Sequence, residues 1–131
     1  NHRFEVLPDS PPLTRLEAML AAHVDFVIEQ PGVPRILFGE LQRAGDTPTK
    51  AIARQLMAGY RARVARELNA AREAGAIADT TDVEAATVLF LAMVQGMVMQ
   101  CLAVDDFTAM PALARRLFSL FQQSLGASPC A

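Results

Sequence analysis

The chain has few residues of the types that carry out catalysis, and their spacing does not match that of known catalytic motifs. There are two histidines, His2 at the very start and His23. Asp25 and Glu29 follow His23 and share one helical face, but His23 is two residues from Asp25 and points elsewhere. No Glu-x-x-His pair for a helical di-metal site occurs, and no Ser-His-Asp motif or glycine-rich phosphate loop is present. The sequence therefore predicts a protein that is not an enzyme and that uses no metal or cofactor.

A second group of side chains suits an apolar ligand cavity. Flexible, polarizable methionines recur beside aromatic rings, and such side chains adapt to lipophilic ligands. The alternative is that they simply fill a core, which is the favoured interpretation for any one of them. Tyr60 is more specific, because a buried phenol needs a hydrogen-bond partner and could orient a ligand. The candidate pocket residues are Met19, His23, Phe26, Phe38, Met57, Tyr60, Arg63, Phe90, Met93 and Met97.

Several polar residues have two interpretations each. Arg63 and Glu67 are one helical turn apart, so Arg63 either receives an anionic effector or forms an ordinary surface pair with Glu67, and the pair is favoured. Arg35 is either a solvated surface residue or a residue at a cavity mouth. Gln95 and Gln100 lie in an apolar helix, where an unsatisfied buried amide costs about 1–3 kcal/mol. We expect their partners across a dimer contact or on a ligand.

The length and composition of the chain fit one domain with its own hydrophobic core. The chain has 131 residues, of which 52% are hydrophobic and 20% are charged, with a formal net charge of −2. This length suits one domain, and the apolar fraction excludes a disordered tail. The charge balance lacks the basic surface that nucleic acids require. Cys101 and Cys130 match no metal-ligand spacing, so free thiols in a reducing, cytoplasmic compartment are expected.

Apolar residues recur at helical spacing in five segments, and no alternating strand pattern occurs. Ser10 is expected to cap the first helix, which ends before Gln30. The four other helices are predicted over residues 34–42 and 48–74, from a cap at Thr81 through residue 104, and over residues 110–125. Thr47 or Asp46 is expected to cap the start of the third helix, and Gly75 is expected to end it. A Thr81/Glu84 capping box is expected to begin the fourth helix. The predicted buried stripe of that third helix comprises Ile52, Leu56, Tyr60, Val64 and Leu68, with Met57 and Ala71 alongside.

The segment from Ala85 to Val104 is apolar around almost its whole circumference. Such a helix must be buried on every face or must cross a membrane. Its two glutamines and the acidic residues at both ends argue against crossing. At helical spacing its faces are a small-residue seam (Ala85, Ala92, Gly96, Ala103) and a bulky face (Phe90, Val94, Met97, Cys101).

Two arrangements would cover this apolar helix. It is either wrapped by its own chain or, as we favour, shared by a twofold dimer whose last two helices build a four-helix bundle. The candidate dimer residues are Ala85, Leu89, Ala92, Gln95, Gly96, Met99, Ala103, Leu113, Leu117, Leu120 and Phe121.

Four short runs, in this order and spacing, resemble the C-terminal domain of TetR-family transcriptional regulators. They are residues 31–38 (PGVPRILF), 73–77 (EAGAI), 82–86 (DVEAA) and 89–96 (LFLAMVQG). The resemblance covers about Leu13 to Leu125. It implies an all-α bundle of five to six helices that dimerises through its last two helices. It also implies a small hydrophobic effector in a cavity among the preceding helices.

The resemblance further implies a division of the chain and a role. Residues 1–8 would be the end of a connecting helix and a joint, residues 9–126 the ligand-binding and dimerisation domain, and residues 127–131 a frayed tail. The helix-turn-helix domain of this family has no counterpart here, so operator DNA is expected to be contacted only through a domain absent from this chain. We therefore expect part of a cytoplasmic, homodimeric regulator, a repressor, that does not bind membranes. The competing interpretation is a helical homodimeric protein-interaction module without a small-molecule ligand.

Overall fold

The computed structural model describes residues 9–126, which form five α-helices and no strand. They are α1 (Pro12–Glu29), α2 (Gly32–Leu41), α3 (Pro48–Glu73), α4 (Val83–Val104) and α5 (Met110–Ser124). The predicted all-α fold is confirmed. The largest difference in bounds is at the start of α2, which lies two residues earlier than predicted. The segments predicted as a joint and as a frayed tail lie outside the described residues.

The start of α3 follows the prediction, whereas the start of α1 does not. The Thr47 hydroxyl accepts a hydrogen bond from the backbone N–H of Lys50 at 3.0 Å and so caps α3. The predicted Ser10 cap is wrong, because Pro11 is the N-cap residue of α1 and no side chain caps that helix. Proline in the first turn has no N–H to satisfy, which reduces the need for a side-chain cap.

The start of α4 also differs from the prediction. Asp82 is its N-cap, and the Asp82 carboxylate accepts a hydrogen bond from the backbone N–H of Ala85 at 3.1 Å. The predicted Thr81/Glu84 capping box is wrong, because the Thr81 hydroxyl donates instead to the carbonyl of Ala78 at 2.6 Å. A carboxylate is favoured at this end of a helix because it also meets the positive end of the helix dipole.

The core lies between α1, α3, α4 and α5, while α2 packs against α3. The largest fully buried side chains come from these four central helices: Phe90, Phe118, Leu16, Leu20, Leu68, Met110, Val27 and Val64. Gly75 ends α3 with a φ of 76°, as predicted. The predicted stripe of α3 is wrong in its first half, because Ile52 and Leu56 are 57% and 61% exposed. Ala53 is the buried residue there, so α3 contributes large side chains to the core only in its second half.

Candidate functional site

Four helices each contribute one ring to a row of contacts through the core. His23 of α1 packs edge-to-face on Tyr60 of α3, with ring centroids 5.6 Å apart. The Tyr60 ring lies 6.5 Å from Phe90 of α4, and Phe90 lies 5.4 Å from Phe121 of α5. We call these four residues the aromatic row. The structure thus brings together three of the predicted pocket residues and adds Phe121, which the sequence analysis had assigned to the dimer contact.

The Tyr60 hydroxyl is buried and has no hydrogen-bond partner among the described residues. Burial raises the pKa of Tyr60 to about 12, and the positive charge of Arg63 opposes part of that rise. A buried polar atom without a partner costs about 1–3 kcal/mol. A ligand atom that accepts a hydrogen bond from this hydroxyl would recover the cost, which makes Tyr60 the polar centre of the site.

His23 supplies an uncharged ring to this site. Burial lowers the pKa of His23 below its usual value, because the imidazolium form loses hydration inside a protein. Within residues 9–126, no three His, Cys, Asp or Glu side chains are placed to hold a metal ion. His23 is therefore best described as a packing partner of Tyr60.

Arg63 lies three residues after Tyr60, on the neighbouring turn of α3, and is exposed. The predicted surface pair of Arg63 with Glu67 is wrong. Glu67 is paired with Arg15 of α1 instead, with Arg15 Nη2 2.7 Å from Glu67 Oε1. Arg63 has no ion pair with any residue that the structure describes. An uncompensated positive charge therefore lies next to the buried hydroxyl.

One side of α4 is buried and the other is not. The predicted bulky face is buried, since Phe90, Val94, Met97 and Cys101 are at most 9% exposed. On the opposite side, Leu89 is 48% exposed. We call this exposed surface the α4 face: Ala85, Val88, Leu89, Ala92, Gln95, Gly96, Met99 and Ala103, with Leu120 of α5. Within residues 9–126, this side of α4 is therefore left uncovered, as the sequence predicted.

A family model described as the tetracyclin repressor-like C-terminal domain matches residues 9–99. The chain belongs to this family. The match covers α1, α2, α3 and most of α4, whereas α5 lies outside it. No curated protein and no solved structure shows a significant match to the chain. The fold and family of this TetR-like domain are thereby shown.

The remaining predicted pocket residues of the TetR-like domain differ in how deeply they are buried. Met19 and Met97 are buried in the core, and Phe38 and Met93 are partly buried against it. Phe26 and Met57 are 43% and 41% exposed. Arg35 is exposed and forms an ion pair with Asp105, which joins α2 to the end of α4.

The predicted dimer residues of the TetR-like domain also separate into two groups. Phe121 is 3% exposed and belongs to the core, and Leu113 and Leu117 are partly buried against that core. The other predicted residues lie on the α4 face. Gln95 and Gln100 are both exposed in the described part of the chain, and a partner for them across a dimer contact or on a ligand stays a prediction.

An open groove of about 510 Å³ adjoins the α4 face at one end of the domain. It lies between the α3–α4 connection, the start of α4 and the end of α5, and Ala85 and Leu89 line it. The backbone N–H of Ala78 donates to the carbonyl of Leu125 at 3.1 Å and closes the base of this region. No predicted pocket residue lines the groove, so it belongs with the exposed surface and not with the aromatic row.

α4 is also the one helix in the described part of the domain that is long and apolar enough to cross a membrane. That assignment rests on length and composition alone, and a third of its most apolar window is buried inside the domain. Its buried side is formed by core residues from Phe90 to Cys101. A helix that packs one side into a protein core can also be this long and this apolar.

Proposed function

We propose that this chain is the effector-sensing and dimerisation half of a TetR-like transcriptional regulator. Two chains pair through α4 and α5, and a small lipophilic effector binds at the aromatic row. The effector binds one arrangement of the paired domains better than another and so shifts their populations. In the intact protein this changes the spacing of two helix-turn-helix domains, lying outside this chain, and releases operator DNA. The regulator acts in the cytoplasm as a repressor.

The observation that carries this proposal is the apolar α4 face. Contiguous exposed apolar surface on a protein marks a site of interaction. A twofold pairing would cover the same residues on both copies at once. The small side chains of Ala85, Ala92, Gly96 and Ala103 permit two α4 helices to approach closely, and Leu89 and Met99 would fill the flanks.

Sensing is supported by the buried, unpartnered hydroxyl of Tyr60. In a core that has only a structural role, buried polar atoms normally have hydrogen-bond partners. The Tyr60 ring contacts His23 and Phe90, and the same core contains Met19 and Met97, whose flexible side chains repack readily. The site therefore combines an apolar environment with one hydrogen-bond donor, as small-molecule sites commonly do.

The pairing is tested by the substitution Gly96→Leu. A Cβ atom at Gly96 meets no other atom within 4 Å, so leucine fits within one chain. Gly59→Leu on α3 is the matched control, because this helical glycine has equally open surroundings but lies off the α4 face. Sedimentation equilibrium should find dimers for the wild type and Gly59→Leu, and monomers for Gly96→Leu with unchanged helical circular dichroism. A wild type that remains monomeric at high concentration would overturn the proposal.

Sensing is tested against the protein-interaction module by ligand-induced stabilisation. A ligand that binds the folded domain raises its melting temperature by mass action. We expect decanol or decanoate, both below their micellar concentrations, to raise the melting temperature of the wild type. If neither probe does so while the dimer persists, the module without a small-molecule ligand is the better description.

A further inference from the structure

The surroundings of Tyr60 indicate the charge of the effector, an inference that rests on the proposed function. Tyr60 and Arg63 are three residues apart on α3, a spacing that places their side chains on adjacent turns of one face. The acidic residue best placed to neutralise Arg63 is Glu67, one turn further on. Glu67 is instead held by Arg15 through hydrogen bonds of 2.7 and 3.0 Å.

We propose that this site receives an amphipathic carboxylate, with its head group on the Tyr60 hydroxyl and the Arg63 guanidinium and its apolar body against the aromatic row. A carboxylate accepts hydrogen bonds from both groups, and charge-assisted bonds of this kind are stronger than neutral ones. The planar guanidinium can bind both carboxylate oxygens at once. A cationic ligand would meet the positive charge of Arg63, while the carboxylate of Glu67 is already engaged by Arg15.

The apolar body of such a ligand has a suitable environment. Phe90 is fully buried and Met97 is 4% exposed, so both belong to a dry core. His23 packs edge-to-face with the Tyr60 ring, and its burial favours the neutral imidazole. The positive charge at this site is thus confined to its exposed edge, at Arg63. This arrangement suits a molecule with one anionic end and an apolar remainder.

The test compares decanoate with decanol, which share a chain length and differ in head-group charge. Tyr60 is the single tyrosine and the chain has no tryptophan, so tyrosine fluorescence reports binding at this position alone. We expect decanoate to bind roughly tenfold more tightly than decanol, a difference of about 1.4 kcal/mol. Arg63→Gln should remove this preference without changing the affinity for decanol. Arg61→Gln, an exposed arginine elsewhere on α3, is the matched control and should keep the preference.

The possible results separate this inference from the proposed function. Equal affinities for decanoate and decanol would leave an effector site standing and overturn the carboxylate assignment. If Arg63→Gln and Arg61→Gln lose the preference for decanoate equally, the carboxylate assignment is also overturned. The overall charge of the protein, and not the position of Arg63, would then set the preference. The Tyr60→Phe variant should bind both probes more weakly than the wild type, as measured by titration calorimetry. If neither probe binds the wild type, the sensing role and this inference fail together.

Discussion

Arg15 and Glu67 join α1 to α3 through a forked ion pair. Arg15 Nε lies 3.0 Å from both carboxylate oxygens of Glu67, and Arg15 Nη2 lies 2.7 Å from Glu67 Oε1. The two side chains are 28% and 15% exposed, so neither is fully solvated. Because Glu67 is engaged with another helix, it does not neutralise Arg63 on its own helix. One contact therefore fixes two helices and leaves a cation beside Tyr60.

Removing one member of this pair should destabilise the domain. Glu67→Gln keeps the size of the side chain but removes its charge, so we expect the melting temperature to fall by a few degrees. Glu73→Gln is the control, since Glu73 is exposed on the same helix and takes part in no ion pair that the structure describes. In a double-mutant cycle, Arg15→Gln and Glu67→Gln should be less than additive, because each alone abolishes the same contact. Full additivity would show that the pair contributes nothing.

Acidification should weaken the fold through His23. Burial lowers its pKa in the folded chain, so the unfolded chain takes up this proton at a higher pH than the folded chain does. The free energy of unfolding should therefore decrease as the pH falls from about 6.5, the ordinary histidine value, towards the lowered pKa. Urea titrations at several pH values measure this slope. His23→Gln cannot take up the proton and should have a flatter profile between pH 6.5 and about 5, below which carboxylates titrate.

The tyrosinate absorbance gives a direct measure of burial at the aromatic row. With one tyrosine in the chain, the titration has a single component, and the folded domain should ionise near a pKa of about 12. In denaturant the midpoint should return to about 10. The folded state should accordingly lose stability as the pH rises from 10 to 12, because only the unfolded chain then releases the proton. A folded midpoint near 10 would contradict the burial of the Tyr60 hydroxyl.

Phe90 should be the most costly ring to truncate in the aromatic row. It is fully buried and contacts both Tyr60 and Phe121, so Phe90→Ala should destabilise the domain by about 3–5 kcal/mol. Leu120→Ala should cost far less in a dilute, monomeric sample, because Leu120 is 62% exposed. Denaturant unfolding monitored by circular dichroism compares the two variants. Similar losses would mean that Leu120 is buried in the species under study.

Much of the fold was predictable because its signals are local. Prolines and glycines separate the helices, and periodicity identified the bulky side of α4, which is buried as expected. The caps were harder, since Thr81 and Asp82 are both good N-cap residues and a shift of one position decides between them. The stripe of α3 failed at Ile52 and Leu56 because periodicity locates an apolar face without showing that another helix covers it.

The sequence by itself determined the helices, the apolar circumference of α4 and a set of rings and methionines that suit a ligand. The tertiary structure decided which of them meet. It placed Phe121 beside Phe90 and paired Glu67 with Arg15 rather than with Arg63. It also left the Tyr60 hydroxyl buried with no hydrogen-bond partner among residues 9–126. Helix formation depends on residues a few positions apart. Ion pairing and burial depend on how separate helices pack, which no spacing along the chain specifies.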